Sequence, residues 1–164
     1  MKTALYGGAI VCDVPEGFAN ADQFRTVPDH QEVFVDLSAS DRSIIFEIVD
    51  YEPEVSNEQA PSYFFNDYSQ ACGAVEASLS HSGSIKTSGL VTSVCSAAGS
   101  ISASKLGRGE KDAVTVCMSI LRIPSASAEI LIIFNWPSGH LDQGLAMLKR
   151  ITDSFEVVDR TLFA

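Results

Sequence analysis

Cations are scarce in this chain: Lys and Arg number 11 against 21 Asp and Glu. The shortfall is uneven. Residues 1–67 hold 13 acids and 3 bases (Lys2, Arg25 and Arg42), a net charge of −10, whereas residues 68–164 hold 8 acids and 8 bases. A field of that sign repels phosphate backbones and anionic lipid headgroups, which excludes nucleic acid and membrane surfaces as favoured partners and suits a basic protein surface. On charge alone, a solvated face that aids solubility is the simpler reading. Cysteine is confined to Cys12, Cys72, Cys95 and Cys117, which lie 60, 23 and 22 residues apart with no C-x-x-C pair and no neighbouring histidine. That spacing lacks a zinc set and reads as buried thiols in a reducing compartment. Long apolar runs are also missing, since none reaches the roughly 18 residues of a membrane helix. The opening run is broken by Gly7-Gly8 and ended by Asp13, a poor match to a secretory signal.

What is present describes a globular chain. Hydrophobic residues make up 46% of 164 and the mean hydropathy is +0.14, which excludes intrinsic disorder and fits a single domain over residues 1–164. Leu5 to Ile10 is strand-like, with the glycine pair supplying a turn or bulge. Pro15-Glu16-Gly17 is a turn, and Phe24 to Asp29 leads into a short β run over Glu32–Asp36. Ser43 to Val49 is β-branched and aromatic and predicts a strand buried on at least one face. The acidic connector 50–60 precedes a helix that starts at Pro61-Ser62 and runs to about Gly73. Gly89–Leu106 and Ala113–Ile123 predict adjacent antiparallel strands joined by a hairpin turn at 107–112. Glu129 to Trp136 is nearly all apolar, which predicts a central strand covered on both faces. After Pro137-Ser138-Gly139, Leu141, Leu145, Leu148, Ile151 and Phe155 recur on one face of a helix, with Ser138 as a candidate cap and Lys149 and Arg150 in its later part. These elements define an α+β layered fold with a mainly antiparallel sheet.

Catalytic chemistry has no focused signal. His30, His81 and His140 fall in turns or edges, no serine lies in a G-x-S-x-G elbow, and His140 with Asp142 is a generic turn rather than a metal pair. Gly83, Gly89, Gly99, Gly107 and Gly109 form neither a P-loop nor a dinucleotide loop. No catalytic residue, metal or cofactor is therefore assigned, and Trp136 reads as core or rim packing.

Four segments together resemble one family. Leu5-Tyr6-Gly7-Gly8-Ala9-Ile10, Arg25-x-Val27-Pro28-Asp29-x-Gln31-Glu32-Val33-Phe34, Ser43-Ile44-Ile45-x-Glu47-x-x-Asp50 and the ending Phe155-x-Val157-Val158-Asp159-x-x-Leu162-Phe163-Ala164 are similar, in the same order, to the Mog proteins, the Ran guanine-nucleotide release factors. Leu121-Arg122-Ile123-Pro124 with Ile130–Asn135 fits that family's penultimate strand pair. The resemblance implies a three-layer α/β/α sandwich with a central antiparallel sheet between helices, as in the photosystem PsbP proteins. It also implies binding to the GTPase Ran with release of its nucleotide, in nuclear transport, and hence residence in the nucleus; the thiols add the cytoplasm, and a monomer is the default expectation. Glu47 and Asp50 match the acidic cluster tied to Ran binding, with Asp29 next; Arg25 and Glu32 belong to the same motif as Asp29. The family often has an acid where this chain has Asn20, and Asp22 lies close by. Because side chains alternate along a strand, Glu47 and Asp50 share a rim only if the strand ends or bulges near Ile48 or Val49. Two other classes stay open: an adaptor using the same acidic surface for another basic partner, and, more remotely, an esterase-like or thiol enzyme that would need an exposed, activated cysteine.

Overall fold

The computed structural model describes residues 2–38, 41–102, 113–137 and 139–164. Twelve elements follow in chain order: β1 (Lys2–Leu5), β2 (Ile10–Asp13), β3 (Phe18–Asn20), β4 (Gln31–Asp36), β5 (Ser43–Asp50), α1 (Ala60–Ala71), β6 (Glu76–Lys86), β7 (Ser93–Ser102), β8 (Ala113–Ile123), β9 (Ala128–Pro137), α2 (Leu141–Ser154) and β10 (Glu156–Val157). Strands β3-β4-β5-β9-β8-β7-β6 form a seven-stranded sheet in that order, and β1-β2-β10 form a small second sheet. Each pair is antiparallel. The turn between β1 and β2 needs left-handed backbone at Tyr6, Gly7 and Gly8, with φ of 51, 67 and 92°, and two glycines remove the Cβ penalty there.

Alternation along the central strands sorts their side chains into two cores. Ile130, Ile132 and Phe134 of β9, with Ile44 and Phe46 of β5 and Cys117 of β8, pack under Leu148 and Ile151 of α2 and under Leu5, Ile10 and Cys12 of the small sheet. Leu131 and Ile133, with Val116, Met118 and Ile120, pack on the opposite face against Phe64 and Phe65 of α1. The apolar run ending in Trp136 is therefore a central strand buried on both sides, as its composition predicts. One helix per face gives the α+β sandwich implied by the resemblance, with the small sheet sharing the α2 side.

The periodic face of α2 lies as predicted: Leu148 and Ile151 are buried, and Leu141, Leu145 and Phe155 pack beside them. His140 is the N-cap residue and makes no side-chain cap bond. Ser138 and the 107–112 turn lie outside the described residues, although the strands flanking that turn pair in register from Ser93↔Arg122 to Ser102↔Ala113. Strand β7 begins at Ser93 rather than Gly89, because Thr87 bonds back to Val91 and Thr92 in a hairpin turn. The other arm of that hairpin, β6, is a sheet-edge strand with no counterpart among the sequence expectations.

Candidate partner-binding site

Antiparallel pairing of β3, β4 and β5 collects the six residues singled out in the sequence at one end of the sheet. Gln31 lies opposite Glu47, and the Ile48 N–H donates to the His30 carbonyl at 2.9 Å, so Asp29, at the turn before β4, neighbours the β5 terminus. Asp22 sits in the 3-10 turn after β3, where its N–H donates to the Asn20 side chain at 3.0 Å. Asp22, Arg25, Asp29 and Asp50 are exposed, while Glu32 and Glu47 are half-buried.

Their side chains divide between two faces. Strand β5 pairs with β9 without interruption from Ser43↔Asn135 to Asp50↔Ala128. The bulge or early end that would bring Glu47 and Asp50 together is absent, and by alternation they lie on opposite faces. Glu32 is paired with Phe46 and turns to the small-sheet side. There its Oε1 accepts the Tyr6 N–H at 2.7 Å and its Oε2 accepts the Asn20 Nδ2 at 3.1 Å. Asn20 thus supplies a donor to Glu32, which an acid at that position could not do when ionised. Glu47 accepts a hydrogen bond from Gln31 Nε2 on the neighbouring strand.

Tyr6 packs on the small-sheet side at this end of the sheet. Its hydroxyl lies 3.1 Å from both the His30 and the Phe46 carbonyl oxygens. Burial raises its phenol above the ordinary range, and the nearby Glu32 and Glu47 charges raise it further. Tyr6 is present in the first sequence motif, but no role follows from the motif alone; only the strand pairing brings it between two carboxylates.

On the α1 side, Arg25, Gln31 and Glu47 line an open groove of about 540 Å³ together with Ile45, Phe64 and Tyr68. Tyr68 donates to Asn135 Oδ1 at 2.9 Å, and Asn135 Nδ2 donates to Ser43 Oγ at 3.2 Å. These bonds tie the helix to β9 and β5. Beyond the groove, the connector 51–59 is held by Arg122, a second residue to which sequence reasoning assigns no role. Its Nε donates to Glu129 Oε1 at 2.8 Å, Nη1 to the Val55 carbonyl at 2.7 Å and Nη2 to the Glu52 carbonyl at 2.9 Å. The Glu52 N–H in turn donates to Glu129 Oε2 at 2.9 Å.

All four cysteines are buried. Burial pushes the Cys12 thiol up to about 12 and the Cys95 and Cys117 thiols up to about 11, the reverse of an activated nucleophile. Among the described residues, no three His, Cys, Asp or Glu side chains gather to hold a metal ion. No described helix is long and apolar enough to cross a membrane.

Comparison with known proteins agrees with this architecture. The family model described as Ran-interacting Mog1 protein matches residues 3–137. The Ran guanine nucleotide release factor of Danio rerio is 31% identical over 144 residues, covering 84% of this chain and 78% of the relative. The nuclear import protein MOG1 of Saccharomyces cerevisiae is 26% identical, covering 99% of this chain and 84% of the relative. Among solved structures, the Saccharomyces cerevisiae Ran-binding protein Mog1p superposes with a TM-score of 0.82 at 21% identity, over 100% of this chain and 98% of that one. Cyanobacterial PsbP from Synechocystis gives 0.65 at 14% identity, over 96% and 91%. These two structures establish the fold, and with the sequence matches it follows that the chain belongs to the family of Ran-interacting Mog1 proteins.

Proposed function

We propose that this protein binds the small GTPase Ran and promotes release of its bound guanine nucleotide, in support of nuclear import. It acts as a monomer in nucleus and cytoplasm, and as a regulator without a catalytic site of its own. Family membership supports the partner. The observation that carries the choice of surface is the grouping of Asp22, Arg25, Asp29, Glu32, Glu47 and Asp50 at one sheet end, with Glu32 and Glu47 fixed by hydrogen bonds. Carboxylates held in place lose little side-chain freedom on docking, and an acidic rim attracts a basic GTPase surface. Release follows if this surface prefers a Ran conformation that holds Mg²⁺ and phosphates less well, because a partner shifts an equilibrium only by its differential affinity.

Release of a fluorescent guanine nucleotide from Ran tests the proposal. Wild-type protein accelerates release, and Asp29→Lys and Glu47→Lys, measured separately because they occupy different parts of the rim, each reduce the effect by about tenfold or more. No acceleration by the wild type, or full activity in both folded variants, refutes it.

A further inference from the structure

We propose that the groove between α1 and strands β4, β5 and β9 is itself a docking site for the GTPase, accepting a cationic side chain beside an apolar one from an exposed segment of that partner. The inference rests on the Ran-binding reading above and extends that surface from Arg25 and Glu47 into the groove beside α1.

The groove exists because α1 covers only part of one face of the sheet. The helix packs on β6, β7 and β8, leaving the outward residues of β5 on that face half open. The contrast within β5 is sharp: Ile44 and Phe46 are 0% exposed under the small sheet and α2, whereas Ile45 and Glu47, pointing the other way, are only half-buried. Ile45 therefore offers apolar area that the described residues leave partly uncovered, beside Phe64 and Leu131. Tyr68, Asn135 and Ser43 hold the two walls together by hydrogen bonds, so the depression does not depend on a partner to form it. A preformed site spares the ordering cost of binding.

Charge selects the occupant. Among the described residues that line the groove are the acids Asp41, Glu47 and Asp67 and the base Arg25. Glu47 projects from the strand wall and Asp67 from the helix wall, so a Lys or Arg entering between them meets carboxylates from both sides while its neighbour reaches the apolar floor. Another copy of this chain is a poor occupant, because residues 1–67 hold its whole net charge of −10 and like-charged faces repel.

Two groove variants and one control test the inference by Ran affinity and nucleotide release, with thermal melting to establish folding. Ala71→Arg enters the groove from its exposed helix lip, and Asp67→Lys reverses the charge of the helix wall. Ser62→Arg adds the same positive charge to an exposed α1 position outside the groove lining. Both groove variants are expected to weaken Ran binding by about tenfold or more, with Ser62→Arg within about twofold of wild type. If Ala71→Arg fails to fold, Asp67→Lys decides alone. If wild type binds Ran and the folded groove variants match Ser62→Arg, the groove is not a contact while the Ran reading stands. If wild type does not bind Ran at all, both fall together.

Discussion

Arg122 and Glu129 face each other in register across β8 and β9, with side chains 1% and 0% exposed. Two charges so deeply placed are tolerated because each remaining polar atom has a partner: the guanidinium reaches Glu129, Val55, Asn57 and Glu52, and its Cζ lies 4.7 Å from the Tyr51 ring centre. Removing one member strands the other, at a cost of about 3–5 kcal/mol, whereas replacing both by apolar residues is far milder. Arg122→Met should therefore lower the urea midpoint strongly, and Arg122→Met/Glu129→Leu should recover much of the loss. Burial already holds the Glu129 carboxyl above its ordinary range, and loss of Arg122 raises it further. A carboxyl whose folded value exceeds its unfolded value favours the native state as pH falls, so the Arg122→Met deficit should narrow as pH falls from neutrality toward the ordinary carboxyl range. A deficit that is absent, or constant across that interval, contradicts this account. The pair was accessible in principle from the sequence, because two strands joined by a short proline-containing turn place residues at either side of it opposite one another. What the sequence does not display is the connector that closes over them.

At the scale of elements, β7 and the bulged β6 approach closely. A Cβ added at Gly99 would lie 2.0 Å from the Ser78 carbonyl oxygen and 2.9 Å from the Phe65 ring, so glycine is required by contact. Gly144 in α2 is less confined, its added Cβ meeting Cys117 Sγ at 2.9 Å, and alanine there regains about 1 kcal/mol of helix propensity. Gly99→Ala should cost about 3 kcal/mol or more and Gly144→Ala about 1 kcal/mol or less in equilibrium unfolding. Equal stabilities would mean that β6 and α1 are not pressed against β7 at Gly99. The same element marks where sequence reading stops. Strands β5 and β9 and helix α2 are legible because their apolar residues are dense or periodic, and α1 because Pro61 suits its first turn. Residues 76–86, by contrast, are small or polar apart from Leu79 and Ile85, and a register shift between Leu79 and His81 breaks what alternation there is. Their strand conformation is imposed by β7. The candidate site is legible to the same degree: motifs identify Asp29, Glu32 and Glu47, and alternation separates Glu47 from Asp50, but the place of Tyr6 between Glu32 and Glu47 comes only from pairing of strands distant in sequence.

For the whole molecule, charge follows topology. The segment with the −10 excess builds β1 to β5, the connector and most of α1, whereas β6 to β8 and α2 belong to the neutral remainder. Strands β3, β4 and β5 occupy one side of the large sheet and β6 the opposite edge, while the connector and α1 carry their acids over β6 to β8, so an approaching partner meets an uneven distribution of acids. An uneven field orients encounter before contact and acts on the association rate more than on dissociation, with screening within about 10 Å at 0.1 M salt. Stopped-flow association with Ran should therefore slow by about tenfold or more between about 0.05 M and about 0.5 M salt, with the dissociation rate changing much less. Charge reversal should matter by location: Asp29→Lys, on the acid-rich side, should lower the association rate and flatten its salt dependence, whereas Asp142→Lys, exposed at the start of α2, should leave both close to wild type. An association rate indifferent to salt, or equal effects of the two reversals, would mean that the uneven charge serves solubility alone and that the acid-rich half does not guide the partner in.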